Sequence, residues 1–206
     1  MLCALVTYSC DLQNFKEFYL AGEPGDACCC GVQHSGEPRG RIEKIAGVET
    51  YIAEPLQGQK SKGVILFYAD VWCSMFINNK LIQDFFAAQG FTVAGIDYFF
   101  GDPAGASGKT ITGAVAHPAF LTETHFQYVK APLMLSCSEI DHTFPVELRR
   151  RAEDILVEKK HVYFFQVFGG VEHGFAVRGD PNVAIQRWAK EESARGIIAW
   201  FDRFSK

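Results

Sequence analysis

A chain of 206 residues, 48% apolar and 21% charged, is long enough to bury one substantial core and too short for two independent enzyme domains. The formal net charge is −4 and the 20 Lys and Arg residues are scattered, which argues against nucleic acid or an anionic membrane as partner and leaves small molecules. No apolar run reaches the length of a membrane span.

The opening Met1-Leu2-Cys3-Ala4-Leu5-Val6 is apolar, but Thr7 to Asp11 interrupt it and no basic residue precedes it, so no signal-peptide core is expected. A soluble cytoplasmic protein follows as the expectation. Residues 1–40 are rich in Gly, Cys and short polar pieces without hydrophobic period, and read as an N-terminal extension, partly ordered against a domain at 41–206. The seven cysteines form an odd set with Cys28-Cys29-Cys30 consecutive, an arrangement unsuited to a disulfide framework. No second Cys or His cluster completes a tetrahedral site, so reduced thiols and no metal are expected.

Arg41 to Ile45 and Val48 to Ile52 alternate in strand fashion around Ala46-Gly47, a hairpin signal. Val64-Ile65-Leu66-Phe67-Tyr68 is a continuous apolar run, as in a parallel strand covered on both faces. Leu81, Ile82, Phe85, Phe86 and Ala88 recur at helical spacing between Asn78 and Gln89, with Gly90 as the stop. A strand at 91–96 completes a βαβ unit. The alternation returns with a strand at 133–136, a helix from Pro145 to about Glu158 and a strand at 162–167. Asp180-Pro181 reads as the N-cap and first residue of a closing helix that carries Trp188, Ile197, Ile198, Trp200 and Phe201. The sum is an α/β sheet of mostly parallel strands flanked by helices.

One connection is anomalous. The stretch from Tyr98 to Thr110 holds glycines and a proline that oppose a helix, yet it must link a strand ending near Asp97 to a short strand at 113–117. A parallel crossover needs about a dozen residues and usually a helix.

In open α/β sheets the reactive groups collect at the carboxyl ends of the strands. Asp141, in Ser-Glu-Ile-Asp-His, follows one strand; His173, in Val-Glu-His-Gly-Phe, follows the next. A carboxylate there can hold the imidazole Nδ1 proton and stabilise the imidazolium formed when Nε2 takes a proton from a Ser or Cys nucleophile. The order suits the acid-then-base half of an α/β-hydrolase triad. Helix capping by Asp141 and a loop role for His173 are the alternatives that the residues alone leave open.

Here the chain resembles the dienelactone hydrolases, in particular their fungal members. The match runs through Cys28-Cys29, His34-Ser35-Gly36-Glu37-Pro38, Asn78-Asn79-Lys80-Leu81-Ile82, Asp97 to Pro103, Ala116-His117-Pro118-Ala119-Phe120, Asp141-His142-Thr143-Phe144-Pro145 and His173 to Asp180. The resemblance implies an α/β-hydrolase fold, opening of a lactone or small carboxylic ester, no cofactor, Asp141 as acid and His173 as base. It places Asp70 where the family carries an acidic residue near its cysteine nucleophile, and with Val71, Trp72 and Arg178 implies a substrate-binding set. Read from the residue alone, Arg178 pairs with Asp180 or faces solvent, with bidentate binding of a substrate carboxylate as the alternative.

The family's Gly-x-Cys-x-Gly elbow belongs between the segments matched by Phe100 to Pro103 and by Ala116-His117-Pro118, and that block is missing. Gly105-Ala106-Ser107-Gly108 is a near miss without the strand-turn-helix around it, and Cys73 is a loop thiol that borders the expected crevice; Cys137 reads as core. His117 lines the pocket mouth or has no function, and His34, His125, His142 and His161 read as surface or turn residues. Loss of a central strand predicts either a contracted sheet or a marginal, aggregation-prone chain, and an exposed edge is open to self-association.

Overall fold

The computed structural model describes residues 19–21, 32–69, 74–96, 111–119 and 121–205. Its elements run β1 (Tyr19–Ala21), β2 (Arg41–Ile45), β3 (Val48–Ala53), β4 (Val64–Phe67), α1 (Ile77–Ala88), β5 (Thr92–Ile96), β6 (Gly113–Ala116), β7 (Leu121–Thr122), α2 (Glu123–Tyr128), β8 (Leu133–Ile140), α3 (Val146–Glu158), β9 (Tyr163–Glu172), α4 (Phe175–Arg178) and α5 (Ala184–Phe204).

The expected hairpin forms, with β2 antiparallel to β3 and Ile45 opposite Val48. Its turn needs positive φ at both central residues; Gly47 supplies one at 87° without strain, and Ala46 accepts the other at 51°. Strand β5 lies antiparallel to β3 and parallel to β4, giving the order β2-β3-β5-β4. Strands β6, β8 and β9 are parallel in a second sheet of that order, and β1 pairs with β7. Among the described residues no ladder joins β4 to β6.

One face of both sheets shares a core with α1 and α5, built around Phe67, Phe86, Val93, Met134, Ile197 and Phe201. The Phe67 and Phe86 rings meet at 6.4 Å, and each fully buried ring contributes about 2–3 kcal/mol of transfer free energy. On the other face α2 and α3 cover the three-stranded sheet alone, through Phe126, Leu135, Ala152, Ile155 and Leu156.

This layering corrects the expectation that the 64–68 strand is covered twice. Ile65 and Phe67 are buried under the helices, whereas Val64 is 68% and Leu66 41% exposed. Side chains alternate along a strand, so the second pair points to the face where no described helix packs.

Strands β8 and β9 are longer than their apolar runs. β8 is buried on both faces, with Leu135 and Cys137 towards α3 and Ser136 Oγ hydrogen-bonded to Ser193 Oγ of α5 at 2.7 Å. It continues through an irregularity to pair Ile140 with Glu172. The closing helix begins at Ala184, three residues after the expected start. Asp180 makes a turn instead: its Oδ1 accepts from Asn182 N at 2.8 Å and its carbonyl from Val183 N at 3.1 Å. No described helix is long and apolar enough to cross a membrane.

Candidate active site

Because β8 and β9 are adjacent and parallel, the residues that follow them meet at one rim. His173 Nδ1 lies 3.0 Å from Asp141 Oδ1 and 3.1 Å from Oδ2, and the two side chains are 7% and 1% exposed. Asp141 does not cap α3. It also accepts hydrogen bonds from Ser138 Oγ (3.1 Å), Thr143 N (2.9 Å), Thr143 Oγ1 (2.7 Å) and Phe144 N (3.1 Å). Burial works against ionisation of this carboxyl, but the hydrogen bond and charge of His173, then Thr143 and Phe144, more than offset it and hold the pKa below its ordinary value. An ionised carboxylate only accepts, so Nδ1 of His173 carries the proton and Nε2 the lone pair. Nε2 has no hydrogen-bond partner among the described residues.

Gly174 is required beside that imidazole. Its φ is 90°, and a Cβ there would stand 2.1 Å from Arg178 Nη2, so only glycine lets the guanidinium lie against the chain next to His173. Arg178 is 6% exposed, which corrects the expectation that it faces solvent.

Thr143 ties the rim together, its Oγ1 also lying 2.9 Å from Pro118 O, so that one hydroxyl proton is shared between that carbonyl and Asp141. That carbonyl follows His117, a non-glycine residue at φ 35° whose N–H bonds Ser136 O at 2.8 Å. The His117 ring is 4.9 Å from that of His173, edge to face, and 6.0 Å from Phe175. His142, exposed, stands 5.2 Å from His173 on another side.

The turn that carries His173 is braced from the N-terminal side. Asn78 Nδ2 donates to Val177 O at 3.1 Å and Val32 O at 2.8 Å, while its Oδ1 accepts from His34 N at 2.8 Å. Lys190 Nζ donates to Val177 O at 3.0 Å and lies 2.6 Å from His34 Nδ1; His34 Nε2 donates to Gly179 O at 3.0 Å. Burial pushes Lys190 down to about 8, and burial together with that lysine's charge lowers His34. His34 is therefore a brace and not the surface residue expected. No local pattern announced this, because its partners stand 44, 145 and 156 positions away. The hub role of Thr143 was legible in principle, since a hydroxyl two residues after an aspartate suits an Asx turn.

Cys137 is buried and its thiol is pushed up to about 12 by desolvation, so it is core and not a thiolate. Asp70, Val71, Trp72, Cys73 and Ser107 lie outside the described residues. Among the described residues no group of three His, Cys, Asp or Glu side chains is placed to hold a metal ion.

Parallel strands flanked by helices, with a carboxylate and an imidazole paired at their carboxyl ends, define an α/β-hydrolase fold. Solved structures agree: Thermogutta terrifontis esterase 2 phosphorylated by paraoxon superposes with a TM-score of 0.57 over 79% of this chain and 94% of that one, at 12% identity. The model of the dienelactone hydrolase family matches residues 104–205. Dienlactone hydrolase 1 of Gibberella moniliformis is 31% identical, covering 87% of this chain and 94% of its own length. Hydrolase pyvD of Aspergillus violaceofuscus is 28% identical, covering 89% and 98%. The chain belongs to the dienelactone hydrolase family.

Proposed function

We propose that Asp141 and His173 are the acid and base of a hydrolase site for a lactone or small carboxylic ester, and that the segment bearing the family's nucleophile is absent from this chain. In the full mechanism a Ser or Cys attacks the carbonyl while His173 Nε2 takes its proton, and Asp141 stabilises the imidazolium. The acyl intermediate then falls to water activated by the same imidazole. Asp70, Val71, Trp72 and Arg178 form the substrate-contacting set in this reading.

The observation that carries it is the buried Asp141–His173 contact at 3.0 Å, with the Nδ1 tautomer fixed and Nε2 left to work. Two findings support the missing segment. The alignment with Dienlactone hydrolase 1 extends over 246 positions, more than the 206 residues here, so the relative holds stretches with no counterpart. Strands β4 and β6 also each stand at the end of their sheet, with one side unpaired among the described residues.

The test is mass spectrometry of the intact chain after fluorophosphonate or iodoacetamide, with turnover of simple aryl esters. Selective labelling and turnover lost in His173→Ala are expected if another residue supplies the nucleophile, Cys73 and Ser107 being the candidates. If nothing labels selectively and turnover equals that of His173→Ala, this chain is a non-catalytic, ligand-binding descendant. A longer transcript found across the codons for residues 103–112 would instead make it the shortened product of a hydrolase gene.

A further inference from the structure

His117 is not needed to explain the Asp141–His173 pair, yet the fold goes to some length to place it. It leaves the end of β6 in a left-handed conformation at φ 35°, a strain of about 1–3 kcal/mol for a residue with a side chain. That strain is held by its N–H on Ser136 O and by Thr143 Oγ1, whose single proton is shared between the carbonyl of Pro118 and Asp141. The residue is 2% exposed, and neither Nδ1 nor Nε2 has a hydrogen-bond partner among the described residues. Each such buried polar atom costs about 1–3 kcal/mol, so a phenylalanine packed between His173 and Phe175 would serve the core better. An imidazole kept at that cost has a use for its ring nitrogens beyond packing against the described residues.

The surroundings say what. Burial, the neighbouring His173 and the Arg178 guanidinium all hold His117 in its neutral form, with one N–H to give. The Arg178 guanidinium favours an oxygen that carries negative charge. We propose that His117 is a ligand-contacting hydrogen-bond donor, giving its ring N–H to the carbonyl oxygen of the bound ester or lactone and to the carboxylate product, alongside His173. This rests on the reading of Asp141 and His173 as the hydrolase site. Donation from a neutral imidazole grips an oxygen whose charge grows during attack without placing a second cation beside the base.

The test uses the whole chain labelled with 15N-histidine, acetate as probe and chloride at equal ionic strength as control. Long-range 1H–15N spectra should show the ring nitrogens of His117 and His173 moving together in one saturable transition. His117→Phe should bind acetate about tenfold more weakly, whereas His117→Asn, which keeps an N–H, should retain most of the affinity. If acetate moves His173 but leaves His117 unchanged in the wild-type spectrum, His117 is a packing residue and the proposal is overturned while the site reading stands. If neither ring responds, both fall. The wild-type spectrum decides even where a variant fails to fold.

Discussion

Asp141 collects hydrogen bonds from four residues, so its charge matters to folding. Asp141→Asn should lower unfolding free energy by about 2–3 kcal/mol near neutral pH, because one amide oxygen cannot replace an anion among so many donors. The carboxyl is lowered in the folded state. Its contribution is therefore present above the unfolded-state pKa and lost as pH falls through the folded one, and the gap between wild type and variant in urea unfolding should close in acid. His117 gives a different signature. Its folded-state pKa lies well below 6.5, so under that pH the unfolded chain takes up a proton the folded chain refuses, and stability falls. His117→Phe should flatten the decline; a residual slope remains from His34, which is also lowered. Asp141 and His173 were legible in the sequence because each follows an apolar run directly. His117 was not, since its strain and unpaired nitrogens arise from packing against residues far along the chain.

At the level of elements, the prominent feature is the brace that runs from residues 32–34 through Asn78 and Lys190 to the carbonyls of Val177 and Gly179. Asn78→Ala removes three hydrogen bonds at once. It should cost about 2–3 kcal/mol and speed amide exchange at Val32 and His34, followed by mass spectrometry of deuterated peptides. Regular elements were read well where a period existed, as in the hairpin at 46–47 and helix α1. They were misjudged where partners decide. The Val64-to-Tyr68 run looked doubly buried because its residues are apolar throughout, but coverage depends on which helices lie above it. Strand β9 was cut short at its glycines, although pairing with β8 carries it on to Glu172. The end of β9 matters most, for it delivers His173.

For the whole molecule, two half-sheets lean on one shared layer of helices, with an apolar face and two strand edges that no described residue covers. Unpaired edges recruit other chains. Sedimentation should show concentration-dependent self-association, and Leu66→Glu, at a position 41% exposed, should shift the chain towards monomer while changing its stability by about 0.5 kcal/mol or less. The fold class was readable from the order of strands and helices; the division into two sheets was foreshadowed only by the short, glycine-rich link before β6. That division has a consequence for where the paired side chains sit. Asp141, His173 and His117 all stand on β6, β8 and β9, the portion that the family model matches. The Asp141–His173 contact is thus housed apart from the hairpin and β4, on the parallel strands alone.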